Sequence, residues 1–174
     1  IFGDQGVNQY RYLHTQEGYG QAIMDAHDFL PGDSMVVFSQ SGLNAVVIDI
    51  ALTARHLGMT VIAVTSVAHS SRVEARHSSG LRLFEAADIV IDTGVPLGDA
   101  SLHVDGLEPA IGPTSTVIAT AVAHAIVSGT IEELHRRGTE PLVMVNINTS
   151  EAEDANSHNE RVLADTWRRI RARP

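Results

Sequence analysis

Short apolar runs alternate with helical segments along this chain, and this alternation is what most constrains the fold. Four runs rich in β-branched residues predict strands buried on both faces, at residues 35–38, 60–65, 89–92 and 142–145. Between and around them the sequence predicts helices over residues 9–29, 43–57, 81–87, 113–137 and 159–171. Elements in this order predict a parallel sheet covered by helices, a three-layer αβα sandwich forming one domain over residues 1–174.

The composition is typical of a soluble domain and excludes several classes of function. The chain carries a formal net charge of −9, and an acidic surface of this kind repels nucleic acid. No apolar run has the length needed to cross a bilayer, so no membrane contact is expected. The absence of cysteine excludes thiolate zinc sites and agrees with a cytoplasmic location. Because four strands are fewer than usual, we expect further N-terminal residues before Ile1.

All twelve basic residues are arginine, and the sequence contains no lysine. This excludes Schiff-base chemistry and the lysine of the phosphate-binding P-loop. An anionic ligand must therefore be held by backbone N–H groups, hydroxyls or arginine.

The segment after the first predicted strand is the main candidate for holding such an anion. It consists of Ser39, Gln40, Ser41 and Gly42, and it leads directly into the next predicted helix. In open α/β sheets ligands bind at the carboxyl ends of strands, and the N–H groups of a first helical turn attract anions. The alternative is that Ser41 only caps the helix.

Two further junctions repeat this pattern of hydroxyl groups. The second strand is followed by Ser66, His69 and Ser70, and the long helix opens with Thr114, Ser115 and Thr116. Each junction alone is an ordinary helix cap. Their convergence at one edge of the sheet predicts a phosphate site.

At these residues the chain resembles the sugar isomerase (SIS) domain family. The similarity lies in residues 37–44, 58–66 and 87–92, and it covers about residues 35–129. Further segments, at residues 69–70, 76–80, 96–100, 112–116 and 158–160, are similar to uncharacterised SIS proteins described as phosphosugar-binding or phosphoheptose-isomerase-like. With that branch the resemblance extends over nearly the whole chain.

The resemblance implies a flavodoxin-like parallel sheet of five strands, with sites built at a subunit interface. It implies a phosphate held by Ser39, Ser41 and Ser66, with Gln40 beside them. Asn44 stands where many SIS isomerases have threonine, and we include it among the candidate contacts. The family also implies a homo-oligomer, a dimer or tetramer, and the long apolar helix from Thr114 favours such association.

Aldose–ketose isomerisation needs an acid–base group that moves a proton between adjacent carbons. Glu17 is the first candidate, because related etherases carry an acid in a similar Glu-Gly setting; the alternative is a solvated helix glutamate. His158 and Glu160 are the next candidates, since SIS proteins often complete a neighbour's site from the C-terminal region. Their alternative is a cap residue and a favourable first-turn acid.

The sequence therefore predicts a phosphosugar-binding protein, and first of all a sugar-phosphate isomerase. The alternatives are a lyase like the N-acetylmuramic acid 6-phosphate etherases and a sugar-phosphate sensor that binds without turnover. Nine histidines suggest a metal site, but they form no H-x-x-x-H pair, so neither metal nor cofactor is expected.

Overall fold

The computed structural model describes residues 4–148 and 152–172. The chain divides into two compact units, Ile1–Ala123 and His124–Pro174. The boundary falls inside a long helix, and each unit is described by itself.

The first unit is built on a parallel sheet of three strands, β1 (Ser34–Phe38), β2 (Thr60–Thr65) and β3 (Ile89–Asp92). Their order in the sheet is β1-β2-β3, and all pairings are parallel. This confirms the predicted α/β class and three of the four predicted strands. Each of the three is a short run of β-branched residues, the composition that favours a strand within a sheet.

Five helices connect and flank these strands: α1 (Asp4–Leu13), α2 (Tyr19–Asp25), α3 (Ala45–His56), α4 (Val67–Ser70) and α5 (Leu83–Ala86). The core lies where α3 and α5 cover the sheet. Ile48, Ala51 and Ala54 recur every three residues on one face of α3 and are fully buried against the core. The two alanines let the helix approach β2 closely.

The single helix predicted over residues 9–29 is wrong, because the chain forms α1 and α2 with a turn between them. Gly18 has a left-handed φ of 84°, which interrupts the helical path just before α2. This break brings Glu17 out of any helix.

Only β2 has the burial predicted for the strands. Its residues are mostly buried, whereas Ile89 of β3 is 49% exposed. The prediction of strands buried on both faces is therefore wrong for β3. It is an edge strand of the three-stranded sheet.

A β-hairpin that the sequence analysis missed precedes the long helix. Strands β4 (Ala100–Val104) and β5 (Leu107–Pro113) pair antiparallel around Asp105-Gly106. Asp-Gly between strands is a strong hairpin signal, because both turn positions accept positive φ. The alternation of apolar and polar residues within this segment is weak, and proline, present here as Pro109 and Pro113, is unfavourable within a strand.

Two long helices follow, α6 (Ser115–Arg136) and α7 (Ala152–Arg171). The predicted fourth strand, residues 142–145, is wrong, because this segment joins no ladder in the described chain. Instead, the amide side chain of Asn159 binds both the N–H and the C=O of Val145, each at 2.9 Å. Helix α7 also begins at Ala152, earlier than the start predicted at residue 159.

No residue of α6 is buried, and Val117 is 72% exposed. Among the helices in the described ranges, α6 alone has the length and hydropathy of a membrane span, a criterion of length and composition only. The expectation that no apolar segment reaches this length is wrong, because small residues such as Gly129 lower the mean hydropathy only slightly. Association through this helix stays a prediction.

Candidate functional site

A small cavity of about 130 Å³ lies at the carboxyl ends of the three parallel strands, within the first unit. Its lining residues are Phe38, Ser39, Gln40, Val64, Thr93, Ser115, Thr116 and Ala119. They come from the end of β1, the end of β2, the residue after β3 and the first turns of α6. This is the edge at which open α/β sheets bind their ligands.

Four predicted site residues, Ser39, Gln40, Ser115 and Thr116, meet at this cavity. No lining residue carries a charge. Together they offer hydroxyl groups and one amide, the groups expected to hold an anion in a chain without lysine. Thr93 also lines the cavity and was missed by the sequence analysis. The one feature that could have indicated it is its position directly after a predicted strand.

The loop after β1 is held by backbone hydrogen bonds to β2 and the residue after it. The N–H of Ser39 donates to the carbonyl of Val64 at 3.0 Å, and the N–H of Ser66 donates to the carbonyl of Gln40 at 3.1 Å. The Ser39 hydroxyl accepts a bond from the N–H of Gly42 at 3.2 Å. These bonds fix the position of the Gln40 backbone beside the cavity.

Gly42 is required where it stands. Its φ is +60°, a left-handed conformation that favours glycine. A Cβ here would lie 3.0 Å from Thr65 Oγ1 and 3.1 Å from both Leu83 Cβ and Ser70 Oγ. Any side chain at this position would push the loop away from its neighbours.

The side chain of Gln40 holds an unsatisfied donor. Its Nε2 atom is buried and has no hydrogen-bond partner among the residues that the structure describes. Buried polar groups are nearly always paired, so Gln40 is the residue of this loop whose contact with a ligand is most worth testing. Sequence reasoning named Gln40 only as a neighbour of the serines.

The sequence analysis predicted that the loop leads directly into the next helix, and the structure shows that it does not. Helix α3 begins at Ala45, and Asn44 is its N-cap residue, without a side-chain cap bond. Ser41 is therefore not the cap either. The N–H of Val46 donates to the carbonyl of His14 at 3.3 Å, so part of this helix terminus already has a protein partner.

The three residues predicted after β2 do not line the cavity. Ser66 is fully buried; its hydroxyl donates to the carbonyl of Val95 at 2.6 Å and accepts from the N–H of His69 at 3.0 Å. Ser70 is also fully buried, and its hydroxyl donates to the carbonyl of Ser41. His69 has a buried Nδ1 without a partner among the described residues. The Ser70 hydroxyl supports the loop after β1, whereas the Ser66 hydroxyl binds Val95 and His69. Contact of either hydroxyl with a ligand stays a prediction.

The N-terminus of α6 is occupied by a carboxylate that the sequence analysis did not single out. Asp99 Oδ1 accepts from the N–H groups of Thr114 and Ser115, at 2.9 and 2.8 Å. Its Oδ2 accepts from the Ser115 hydroxyl at 2.5 Å. Burial alone would raise the pKa of Asp99, but these hydrogen bonds outweigh it and hold the pKa below the ordinary value of 3.8.

Glu17 lies in a separate cluster of the same unit and does not line the cavity. Its carboxylate accepts from the N–H of Ser78 at 2.7 Å and from the Ser78 hydroxyl at 2.5 Å. The hydroxyl, then the N–H, hold the pKa of Glu17 below its ordinary value of 4.5, and His77 adds to the effect. Glu17 is thus outside any helix, contrary to the alternative interpretation, but its side chain is solvent-exposed as that interpretation expects.

His77 and Asp49 form the buried part of this cluster. The His77 Nε2 atom lies 3.0 Å from Asp49 Oδ1 and 3.9 Å from Glu17 Oε2. The N–H of Ser79 donates to Nδ1 at 3.1 Å, so a neutral imidazole carries its proton on Nε2 and donates to Asp49. The other oxygen of Asp49 accepts from the N–H of Gly18 at 2.7 Å.

The two C-terminal candidates lie in the second unit. Both are in the first half of α7, several residues after its start at Ala152. His158 Nε2 binds the carbonyl of Val143 at 2.8 Å, and this histidine lines a cavity with His135 and Glu140. Within residues 4–148 and 152–172, no three acidic or histidine side chains are placed to hold a metal ion.

Sequence comparisons show which proteins this chain is similar to. A family model described as "SIS domain" matches residues 1–66, which include the loop after β1. A UPF0309 protein of Oceanobacillus iheyensis is 41% identical over 151 residues, or 87% of this chain and 61% of that protein. A UPF0309 protein of Streptomyces avermitilis is 37% identical over 158 residues, or 91% of this chain and 62% of that protein. The chain spans about three fifths of the length of these curated relatives. Residues 1–66 thus match the SIS domain family, and most of the chain is similar to UPF0309 proteins.

Proposed function

We propose that the cavity at the carboxyl end of the sheet binds the phosphate group of a phosphorylated sugar. The observation that carries this proposal is the buried Nε2 of Gln40, which has no partner among the described residues, beside a cavity lined by hydroxyls. The match of residues 1–66 to the SIS domain family supports phosphosugar binding at this coarse level.

The chemistry of the lining suits this ligand. Ser39, Gln40 and Thr116 supply donors without a fixed positive charge, so binding relies on several hydrogen bonds at once. The hydroxyl of Ser115 donates to Asp99 instead. A volume of about 130 Å³ is well below the roughly 300 Å³ at which pockets for whole small molecules begin. The cavity therefore takes the phosphate and the carbon next to it, while the rest of the sugar extends outward.

The reaction we propose is aldose–ketose isomerisation. A base removes the proton from C2 of the aldose while the C1 carbonyl oxygen takes up a proton. The resulting enediol is protonated at C1 and loses its O2 proton, which gives the ketose. Glu17 is the base in this proposal, and it is ionised at neutral pH, as a base must be. Its carboxylate would have to exchange its two bonds from Ser78 for contact with the sugar.

Binding without turnover is the second candidate function. The specific observation in its favour is that Glu17 lies outside the cavity lining and has a lowered pKa. A lowered pKa makes a carboxylate a weaker base. A sugar-phosphate sensor needs only the cavity.

Calorimetric titration with glucose 6-phosphate, fructose 6-phosphate and glucosamine 6-phosphate tests the binding. We expect at least one of them to bind, and Ser39→Ala and Gln40→Ala each to weaken it by about tenfold. Ser101→Ala, in the hairpin, is the matched control and should bind as the wild type does. Equal binding by all four proteins contradicts the site.

Product analysis on the same sugars separates enzyme from sensor. Isomerisation by the wild-type protein that is lost in Glu17→Gln supports the proposed reaction. Isomerisation that is equal in both proteins excludes Glu17 as the base, and binding without any product supports the sensor.

A further inference from the structure

The carboxylate of Asp99 stands where a helix N-terminus would otherwise receive an anionic ligand. Free N–H groups at a helix N-terminus attract phosphate. At α6 the N–H groups of Thr114 and Ser115 both donate to Asp99 Oδ1, and the Ser115 hydroxyl donates to Oδ2. A negative charge therefore lies outside the cavity lining, bound directly to the lining residue Ser115.

Building on the phosphosugar binding proposed above, we propose that Asp99 determines the orientation of the ligand. The phosphate lies against Ser39 and Gln40, and the sugar leaves the cavity past Ser115. All three residues line the same cavity, so one ligand can contact them together. The Asp99 carboxylate repels a phosphate dianion placed beside it. A sugar hydroxyl can instead donate a hydrogen bond to the Ser115 oxygen, whose own proton is bound to Asp99.

The backbone of Asp99 indicates that its carboxylate does more than cap a helix. Its φ is +68°, and it is the one non-glycine residue with a positive φ in the described part of the chain. This conformation is unfavourable for most L-residues; aspartate and asparagine adopt it more readily, and glycine adopts it freely. Strained residues of this kind cluster at functional sites. Asp99 also reaches α6 from a distance of 15 residues in sequence, which an ordinary N-cap does not.

The charge remains present under physiological conditions. The hydrogen bonds from Ser115 and Thr114 outweigh the effect of burial and lower the pKa of Asp99, so the carboxylate is ionised at neutral pH. A substitution at this position therefore changes the local charge by one unit.

Calorimetric titration of inorganic phosphate and fructose 6-phosphate into three variants tests the proposal. Asp99→Gly frees the helix amides and suits the positive φ, and Asp99→Asn removes only the charge. Asp105→Asn is the matched control, because Asp105 is an exposed acid at the tip of the same hairpin. The measured quantity is the affinity for fructose 6-phosphate divided by the affinity for inorganic phosphate.

We expect this ratio to fall about tenfold in Asp99→Gly, because inorganic phosphate gains a second place to bind at α6. In Asp99→Asn the ratio should fall by a smaller factor, and in Asp105→Asn it should stay within about twofold of wild type. A capping role alone lowers the melting temperature and leaves the ratio unchanged.

An unchanged ratio in folded Asp99→Asn overturns the proposal, and it does so even where Asp99→Gly does not fold. Asparagine tolerates positive φ and keeps a carbonyl oxygen for the helix amides. A wild-type protein that binds neither probe overturns the proposed function as well, whereas wild-type binding with an unchanged ratio overturns only the role of Asp99.

Discussion

The carboxylate of Glu17 is held by Ser78, which donates to it from its N–H at 2.7 Å and from its hydroxyl at 2.5 Å. The two residues lie 61 positions apart in the sequence. Together with His77 and Asp49, they join the segment before α2 to α3 and to the loop after α4. This network makes Glu17 an anchored acid, and its contribution to the fold can be measured.

We expect Ser78→Ala to lower the free energy of unfolding at neutral pH, because Glu17 loses its hydroxyl donor, which is the largest cause of its lowered pKa. A carboxyl whose pKa is lower in the folded protein stabilises it above its ordinary pKa of 4.5, and this contribution is lost as the pH falls through the folded value. The difference in the free energy of unfolding between variant and wild type should therefore become smaller below pH 4.5. Urea unfolding over a pH series measures it.

The control for this series is Ser71→Ala, which removes a hydroxyl that donates to the carbonyl of Val67. Its effect should not depend on pH in the same range. A Ser78→Ala difference that stays constant from neutral to acidic pH would contradict the assignment of the lowered pKa to Ser78.

Asp49→Ala should destabilise the protein by roughly 2–4 kcal/mol, because it leaves a buried imidazole and two N–H groups without acceptors. His77 is 8% exposed at its side chain and Asp49 is 10% exposed. Arg55→Ala is the comparison, since it breaks a half-exposed ion pair with Asp88 and should cost less than about 1 kcal/mol. Chemical denaturation measures whether Asp49→Ala loses more stability than Arg55→Ala. Equal losses of stability in the two variants contradict the prediction.

Gly20→Ala should destabilise the packing of α2 on α3 by about 1–3 kcal/mol. A Cβ at Gly20 would collide with the carbonyl of Val46 and lie 2.5 Å from Asp49 Cβ. Gly129→Ala is the matched control, because Gly129 lies in α6 with no atom within 4 Å of an added Cβ. It should stabilise the protein by up to about 1 kcal/mol through helix propensity. Thermal unfolding that ranks Gly20→Ala at or above wild type contradicts this account.

Gly42→Ala should weaken phosphosugar binding as well as stability. The added methyl group meets Thr65, Leu83 and Ser70 at 3.0–3.1 Å and also strains a φ of +60°. Gly80→Ala shares the positive φ but meets no atom within 4 Å, so it carries only the strain of about 1 kcal/mol. Titration of both variants with fructose 6-phosphate should show a loss of affinity for Gly42→Ala alone. Equal affinities would show that the loop is not part of the site.

The sequence predicted the parts of the fold in which local pattern and tertiary packing agree. Strands β1 to β3 and helix α3 are short apolar runs and an apolar helix face that the core then buries. Residues 142–145 have the same apolar pattern but join no ladder in the described chain. Strand pairing also needs a neighbouring strand, and a local apolar pattern carries no information about that neighbour.

The candidate site was predictable as far as it rests on position along the strands. Ser39, Gln40, Ser115 and Thr116 were expected to converge because strand ends and helix starts meet at one edge of a parallel sheet. Asp99 was missed, since a cap supplied from 15 residues away leaves no local signal. The commitment of the Ser66 and Ser70 hydroxyls to backbone carbonyls likewise depends on tertiary contacts.

Backbone amide chemical shifts, followed by NMR while fructose 6-phosphate and inorganic phosphate are added in turn, test the central claim most directly. We predict that the largest changes fall on Ser39, Gln40 and Gly42, with smaller ones at Ser115 and Thr116. Changes confined to residues away from this cavity, or none at all with the phosphosugars that we propose as ligands, would contradict the account.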